Sequence, residues 1–157
     1  MRLTDSAWRM RETFTVVKEQ IRLYKEWREV IQMGRFYRGK SIYDGNIATW
    51  NVVSVDRTKA VAMLFQSLVS PNDQGDCIKV HGLEGDAKYH LYNKQVSIDI
   101  PKVSSKTGSE KEDIEAYGDV LEEAGVMLSP KYSFPTFKDN TRVFTDFASR
   151  MYFIEKK

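Results

Sequence analysis

The sequence predicts a mainly β protein, an antiparallel β-sandwich of the Greek-key type preceded by one long N-terminal α-helix. Three observations support this prediction. The hydrophobic period changes once, near Gly34, from helical spacing to the alternation typical of strands. Seven or eight short apolar runs follow, with frequent turn residues between them. No helical pattern separates these runs, which favours a sandwich over strands that alternate with crossover helices.

The N-terminal segment is predicted to be a helix from Trp8 to Met33, because it contains no proline or glycine and its apolar residues recur at helical spacing. Gly34 stands where a left-handed residue would end that helix. The apolar face is wider than a minimal amphipathic seam, so a small sandwich can cover only part of it. We expect a larger domain or a second copy of the chain to cover the rest. The residues of this predicted partner face are Phe14, Val17, Ile21, Tyr24, Trp27 and Ile31.

The region after Gly34 is predicted to consist of short strands. Residues 47–55 and 60–69 are apolar runs joined by a short polar link, which indicates a hairpin. Polar loops are predicted at 71–76 and 102–113. Further strands are predicted at 78–81, 88–92, 96–100, 115–121, 126–128 and 150–154. The expected organisation is therefore a helix at 1–34 and a sandwich domain at 35–157.

Composition and charge exclude several classes of function. The 24 basic and 22 acidic residues leave a net charge of +2, so neither nucleic acid nor an anionic membrane is an expected partner. The single cysteine, Cys77, excludes an internal disulfide and a cysteine-only metal site. His81 and His90 are too few for a histidine metal site, and no cofactor motif occurs. We expect no metal, no cofactor and a cytoplasmic location.

The sequence contains no recognisable catalytic constellation. Cys77 and His81 would lie about 13 Å apart along a strand, too far for a nucleophile and its base. Five aspartates stand in turn-like contexts, where local hydrogen bonding explains them: Asp44, Asp56, Asp73, Asp86 and Asp139. Five aromatic residues could stack on sugar rings but are expected mostly in the core: Trp50, Tyr37, Tyr43, Tyr89 and Tyr92. No catalytic, cofactor-binding or metal residue is therefore predicted.

The order and spacing of several segments nevertheless resemble a known family over nearly the whole chain. The segments are VKEQI at 17–21, YKE at 24–26, VIQMG at 30–34, RFYR at 35–38, WNVVS at 50–54, IKVHGL at 78–83, YGDVL at 117–121, AGV at 124–126 and DFASRMYFI at 146–154. This order is similar to the C-terminal end of family-36 glycoside hydrolases, the α-galactosidases or melibiases. Residues 93–115 and 130–145 depart from the family pattern.

The resemblance implies that the helix is the last helix of a (β/α)8 barrel and that the sandwich follows it. In this family both catalytic aspartates lie on barrel strands, and no aspartate of this chain matches their motifs. The implied function is structural support of a barrel that this chain lacks. The chain alone would then be inactive, and the parent enzyme would remove terminal α-galactose from sugars such as melibiose or raffinose without a metal. Such enzymes are often homo-oligomers.

Two alternatives from other classes stay open. The aromatic content of a β-sandwich is compatible with a stand-alone carbohydrate-binding module. The wide apolar face of the helix is compatible with an oligomerisation module.

Overall fold

The computed structural model describes residues 4–68, 77–93, 113–127 and 146–157. Within these ranges the chain forms one long helix, eight short strands and one short helix. The elements in chain order are α1 Thr4–Met33, β1 Arg35–Arg38, β2 Ile47–Val53, β3 Lys59–Gln66, β4 Cys77–Ile78, β5 Lys88–Tyr92, β6 Asp113–Tyr117, α2 Gly118–Glu123, β7 Val126–Met127 and β8 Ala148–Lys156.

The strands form two antiparallel sheets. The large sheet has the order β1-β2-β3-β8-β5-β6, and β4 pairs with β7 in the small one. The predicted hairpin is confirmed, because β2 and β3 pair from Ile47 with Gln66 to Val53 with Ala60. The last strand, β8, lies between β3 and β5, which is the non-sequential order expected of a Greek-key type. The predicted fold class, mainly antiparallel β with one long N-terminal helix, is confirmed.

The large sheet is covered on both faces. Because side chains alternate along a strand, Ala60 and Ile154 face the small sheet while Val61 and Phe153 face α1. This explains why the central parts of β3 and β8, residues 60–65 and 151–154, are continuously apolar instead of alternating with polar residues. The helix and the small sheet therefore lie on opposite sides of one central layer.

The main core lies between the two sheets. The small sheet, the segment between β4 and β5, and α2 contribute a group of buried aliphatic side chains that pack against the central strands: Ile78, Val80, Leu83, Leu121 and Val126. One of the large residues on the other side is Tyr89, whose hydroxyl accepts a hydrogen bond from the Glu84 amide and donates one to the Arg57 carbonyl. The ring of this tyrosine is thus buried in the core, and its hydroxyl has hydrogen-bond partners there.

Helix α2 corrects part of the predicted strand at 115–121. Strand β6 ends at Tyr117, and the chain continues as a helix from Gly118. A Cβ atom on Gly118 would lie 2.1 Å from the Glu84 carbonyl oxygen, so only glycine allows this close approach. A short apolar run such as Val120-Leu121 fits a helical or a strand period equally well, and the tertiary packing decides between them.

The end of α1 also differs from the prediction. The helix does end at Met33, but among the described residues the glycines with positive φ are Gly82 and Gly125, not Gly34. Strand β1 begins directly at Arg35 and was not predicted as a strand. Glycine is needed at position 34 for a different reason, because a Cβ there would lie 2.4 Å from the Val30 carbonyl oxygen.

Three of the sequence predictions concern residues that lie wholly or mostly outside the described ranges. The loop at 71–76 and the strand at 96–100 lie outside them, as does the loop at 102–113 except for Asp113, which begins β6. The strand predicted at 78–81 is shorter and earlier, since β4 covers only Cys77–Ile78. No helix within the described ranges is both long enough and apolar enough to cross a lipid bilayer.

Candidate functional site: the exposed stripe of the first helix

Helix α1 is only partly covered by the domain that follows it. Its 30 residues span about 45 Å. The side chains that pack on the sheet cluster begin at Leu23 and end at Ile31, a length of about 12 Å. Trp27 is the centre of this contact, 1% exposed, with its ring 4.8 Å from the Phe153 ring. The described apolar side chains at Phe14, Val17 and Ile21 therefore lie outside the region that fixes the helix to the sheet.

A second apolar row lies beside the covered one, and we call it the exposed stripe: Phe14, Val17, Ile21 and Tyr24. These side chains are 62%, 40%, 49% and 46% exposed, respectively. The predicted partner face is thus divided. Trp27 and Ile31 belong to the contact with the sheet, which corrects their assignment to a partner. The other four residues remain available to one.

Basic side chains border the exposed stripe. The Lys18 ammonium lies 4.7 Å from the centre of the Phe14 ring, so it covers one end of the stripe. Lys25 and Arg28 are also exposed and follow along the same helix. The Tyr24 hydroxyl accepts a hydrogen bond from the Gln32 amide at 3.0 Å, which leaves its ring on the surface with its polar end satisfied. The 3-4-3 spacing of the stripe is the sequence signal that places Lys18 and Lys25 beside it.

Cys77 is a half-buried structural residue. Its thiol contacts the Ala124 carbonyl oxygen at 3.1 Å, between the short strand β4 and the end of α2. A Cβ on Gly125 would lie 2.5 Å from this sulfur, which shows how tightly the site is packed. The contacts of Cys77 within the described ranges are backbone oxygens and not a base.

The two histidines contact different carboxylates. The ring of His81 lies 3.4 Å from a Glu122 carboxylate oxygen, and its backbone is held by Asn51. The ring of His90 contacts Asp113 across β5 and β6 at 2.5 Å. Among the described residues no group of three or more potential ligands could hold a metal ion.

The described aspartates singled out from the sequence are exposed turn residues. Asp56 accepts hydrogen bonds from the Ser54 hydroxyl and from the amide and hydroxyl of Thr58. The bond from Ser54 is the largest of the causes that lower the pKa of Asp56 to about 2. Asp44 and Asp86 are exposed in turns, and Asp73 and Asp139 lie outside the described residues.

A second carboxylate with a shifted pKa is Glu115 on β6. It pairs with Lys88 at 2.7 Å and also with Lys157, and these hydrogen bonds lower its pKa to about 2. A general acid of a glycosidase needs the opposite shift, a carboxyl whose pKa is raised by burial or by a like charge. The shifts of Asp56 and Glu115 are therefore those of structural ion pairs and turns.

The aromatic candidates are distributed between core and surface. Tyr89 is fully buried, Tyr37 packs against the core cluster, and Tyr92 lies half-buried against Phe153. Tyr43 is 94% exposed in a turn. Trp50 is half-buried on the sheet, and its ring is 5.8 Å from that of Phe36, which is 54% exposed. Phe36 and Trp50 thus form a partly exposed pair of neighbouring rings that a sugar ring could contact.

Two shallow grooves lie beside the turn between β2 and β3, where α1 ends. Their volumes are about 360 and 470 Å³. Both include Met33, Gly34 and Ser54 in their walls, and the larger one adds the carboxylates of Glu26 and Asp56. Glu29 also lines the larger groove. The Asp56 carboxylate there is already hydrogen-bonded within its turn.

Comparison with known proteins agrees with the sequence resemblance. The protein-family model for the glycosyl hydrolase family 36 C-terminal domain matches residues 47–154 of this chain. Alpha-galactosidase AgaA of Geobacillus stearothermophilus is 34% identical over 76 residues, which are 48% of this chain and 10% of that enzyme. Alpha-galactosidase 1 of Pediococcus pentosaceus is 42% identical over 50 residues, 32% of this chain and 7% of that enzyme. The chain thus matches about a tenth or less of the length of these relatives.

Solved structures extend the similarity to the helix. The structure of AgaA in complex with raffinose has a TM-score of 0.64 and 28% identity, covering 89% of this chain and 15% of the enzyme. The α-galactosidase of Lactobacillus brevis has a TM-score of 0.65 and 26% identity, covering 100% of this chain and 17% of that enzyme. The matched part of the latter includes α1, which the family model does not reach.

Proposed function

The chain belongs to the glycosyl hydrolase family 36 C-terminal domain family, and we propose that it is the structural C-terminal part of an α-galactosidase that supports a catalytic barrel. In this proposal α1, within residues 1–34, is the last helix of the (β/α)8 barrel, and residues 35–157 form the sandwich domain behind it. The chain contributes no catalytic residue. The parent enzyme removes terminal α-linked galactose from sugars of the melibiose and raffinose type.

The observation that carries this proposal is the exposed stripe of α1. Its four apolar side chains are each about half exposed, so covering them would contribute about 3–6 kcal/mol of burial to docking. The sheet already holds the helix at Trp27, on a different face. A helix with one face on its own domain and another open is what a barrel helix would present if its barrel were removed.

The pKa shifts of the described carboxylates support the proposal that this chain contributes no catalytic residue. Retaining glycosidases need two carboxyl groups about 5 Å apart, one of them with a raised pKa. The two carboxylates here with the clearest shifts, Asp56 and Glu115, have lowered pKa values and lie in a turn and in an ion pair. A chromogenic α-galactoside incubated with the chain should therefore be hydrolysed no faster than in buffer.

AgaA of Geobacillus stearothermophilus is the positive control in the same assay. Turnover by the chain that persists through purification and in the presence of a chelator would overturn the proposal. A cytoplasmic location is part of the same proposal, and cell fractionation with an antibody to the chain tests it.

A second candidate function, carbohydrate binding, is favoured by one observation. Phe36 and Trp50 form a partly exposed aromatic pair on the large sheet. Their planes are inclined by 33°, however, and do not offer one flat platform to a sugar ring. We expect titration calorimetry with galactose, melibiose and raffinose at millimolar concentration to give only heats of dilution. A saturable heat that disappears in Trp50→Ala would support a binding module instead.

A further inference from the structure

The face of the large sheet that carries α1 continues beside the helix as an apolar surface, which we call the apolar floor. Val61 and Phe153, which are register partners, lie under α1. Side chains alternate along a strand, so the same face includes four further apolar residues, beside this row or one or two steps along the strands: Phe36, Trp50, Met63 and Phe65. Phe36 and Phe65 are 54% and 36% exposed, and the other two are half-buried.

The same face of the sheet is charged on the other side of α1. The row through Lys59 continues across the sheet as Glu155, His90 and Glu115, since these residues are register partners. In the rows of the apolar floor, the charged residue among those described is Arg38, on the edge strand β1. The apolar half is the one that gains free energy from burial against another protein surface, because burial costs charged groups their hydration.

The exposed stripe of α1 lies on the side of the apolar floor. Successive residues of an α-helix are rotated by about 100° around its axis. Relative to Trp27, which packs on the sheet, Glu26 is turned by about 100° in one direction and Tyr24 by about 60° in the other. Glu26 lines the larger groove together with Thr58 and Lys59, so its flank faces the charged row. The flank with Tyr24, and with it the exposed stripe, therefore faces the apolar floor.

We propose that the apolar floor and the exposed stripe are one docking surface, which the catalytic barrel of the parent enzyme covers. This inference rests on the proposed function and extends the contact with the barrel from the helix to the sheet. Because the helix stands on the sheet, a domain that covers the exposed stripe from this side also meets the apolar floor. The eight partly exposed apolar side chains form a patch of the kind that marks protein interfaces.

The similarity to whole enzymes favours a domain of the parent enzyme as the occupant. This chain covers only 15% of the AgaA structure, so most of that enzyme lies outside the matched part. The outer layer of a (β/α)8 barrel is a ring of helices. A sheet packs on helices through an apolar face such as the apolar floor. A sugar fits less well, because the rings of Phe36 and Trp50 are inclined by 33° and form no flat platform.

Two substitutions at matched positions test the proposal. Phe36→Glu places a carboxylate in the apolar floor, and Tyr117→Glu places one on the opposite edge strand, on the same face of the sheet but in its charged half. The two side chains are 54% and 52% exposed. In the chain alone each substitution should shift the Tm by less than about 4 °C, because neither position is covered there. A clearly larger shift in Phe36→Glu would show that the apolar floor is covered within the chain, and would overturn the proposal.

The docked state is tested in a chimera in which this chain replaces the matching C-terminal part of AgaA. There Phe36→Glu should shorten the half-life of α-galactosidase activity at elevated temperature at least about tenfold, because docking would bury a carboxylate without a partner. Tyr117→Glu should leave the half-life unchanged, and the apolar replacement Phe36→Leu should retain most of it.

The outcomes separate this inference from the proposed function. An active chimera that tolerates Phe36→Glu as well as Tyr117→Glu overturns the contact through the sheet and leaves the supporting role of the chain intact. A chimera that is inactive without any substitution contradicts the supporting role itself, and this inference with it. Light scattering of the chain alone tests a second copy as the occupant. A dimer that Phe36→Glu dissociates and Tyr117→Glu does not would assign the apolar floor to that copy and overturn the barrel.

Discussion

At Gly34 the backbone of α1 passes directly into β1, and the position requires glycine because of space and not because of a left-handed conformation. A Cβ atom would lie 2.4 Å from the Val30 carbonyl oxygen and 2.6 Å from a methyl group of Val52. The Gly34 amide also donates a 3.0 Å hydrogen bond to that carbonyl. The junction between helix and sheet is therefore held by contacts that any side chain would disturb.

Replacing Gly34 by alanine should destabilise the chain by about 1–3 kcal/mol, because neighbouring backbone must move to admit the methyl group. Gly45 is the matched control, since nothing lies within 4 Å of its Cβ position and its φ is not positive. Gly45→Ala should be neutral or stabilising by about 0.4–1 kcal/mol. Urea denaturation followed by circular dichroism measures both, and equal effects of the two changes would contradict this account.

At the scale of the element, α1 has two apolar faces with different fates. The face through Trp27 contributes to the small core with Val61 and Phe153. The indole N–H of Trp27 finds no acceptor among the described residues, so its position is maintained by packing. The other face, the exposed stripe, contributes nothing comparable to the stability of this chain. One helix thus packs on the sheet with one side, and its other side is the surface for which we propose a docking role.

Trp27→Ala should lower the free energy of unfolding by about 3–5 kcal/mol, because it leaves a cavity between α1 and the sheet. Ile21→Ala should change it by less than about 0.5 kcal/mol, since Ile21 is 49% exposed. Thermal and urea denaturation of the two variants compare them directly. A large loss of stability in Ile21→Ala would show that the stripe is covered within the chain and is not open to a partner.

Across the whole molecule, ion pairs tie the C-terminal end to distant parts of the chain. Lys156 pairs with Glu84 at 2.5 Å, and Lys157 pairs with Glu115, which also holds Lys88. These contacts join β8 and the end of the chain to the loop before β5 and to β6. All are exposed, so each contributes modestly to stability.

The pair at Glu115 makes stability depend on pH in the acid range. The pKa of Glu115 is lowered from 4.5 to about 2, so the folded state holds this carboxylate ionised more strongly than the unfolded state does. The stabilisation is therefore complete above about pH 4.5 and is lost as the pH falls towards 2. Glu115→Gln should be less stable than the parent chain at pH 7 and equal to it near pH 2.

Glu123→Gln, at an exposed position at the end of α2, is the control for this comparison. Urea denaturation at a series of pH values measures the difference. A gap between Glu115→Gln and the parent chain that stays constant from pH 7 to 2 would exclude the pair with Lys88 and Lys157 as its cause.

Local periodicity by itself determined the long helix, the hairpin of β2 and β3, and the mainly antiparallel class, because each is written in the spacing of neighbouring residues. The sequence also showed the segment order that resembles family 36. It contained no recognisable catalytic motif. Only the tertiary structure decided that Trp27 packs inward while Ile21 stays exposed, and that 118–123 form a helix. These outcomes depend on which surface lies opposite each side chain, and spacing along the chain does not contain that information.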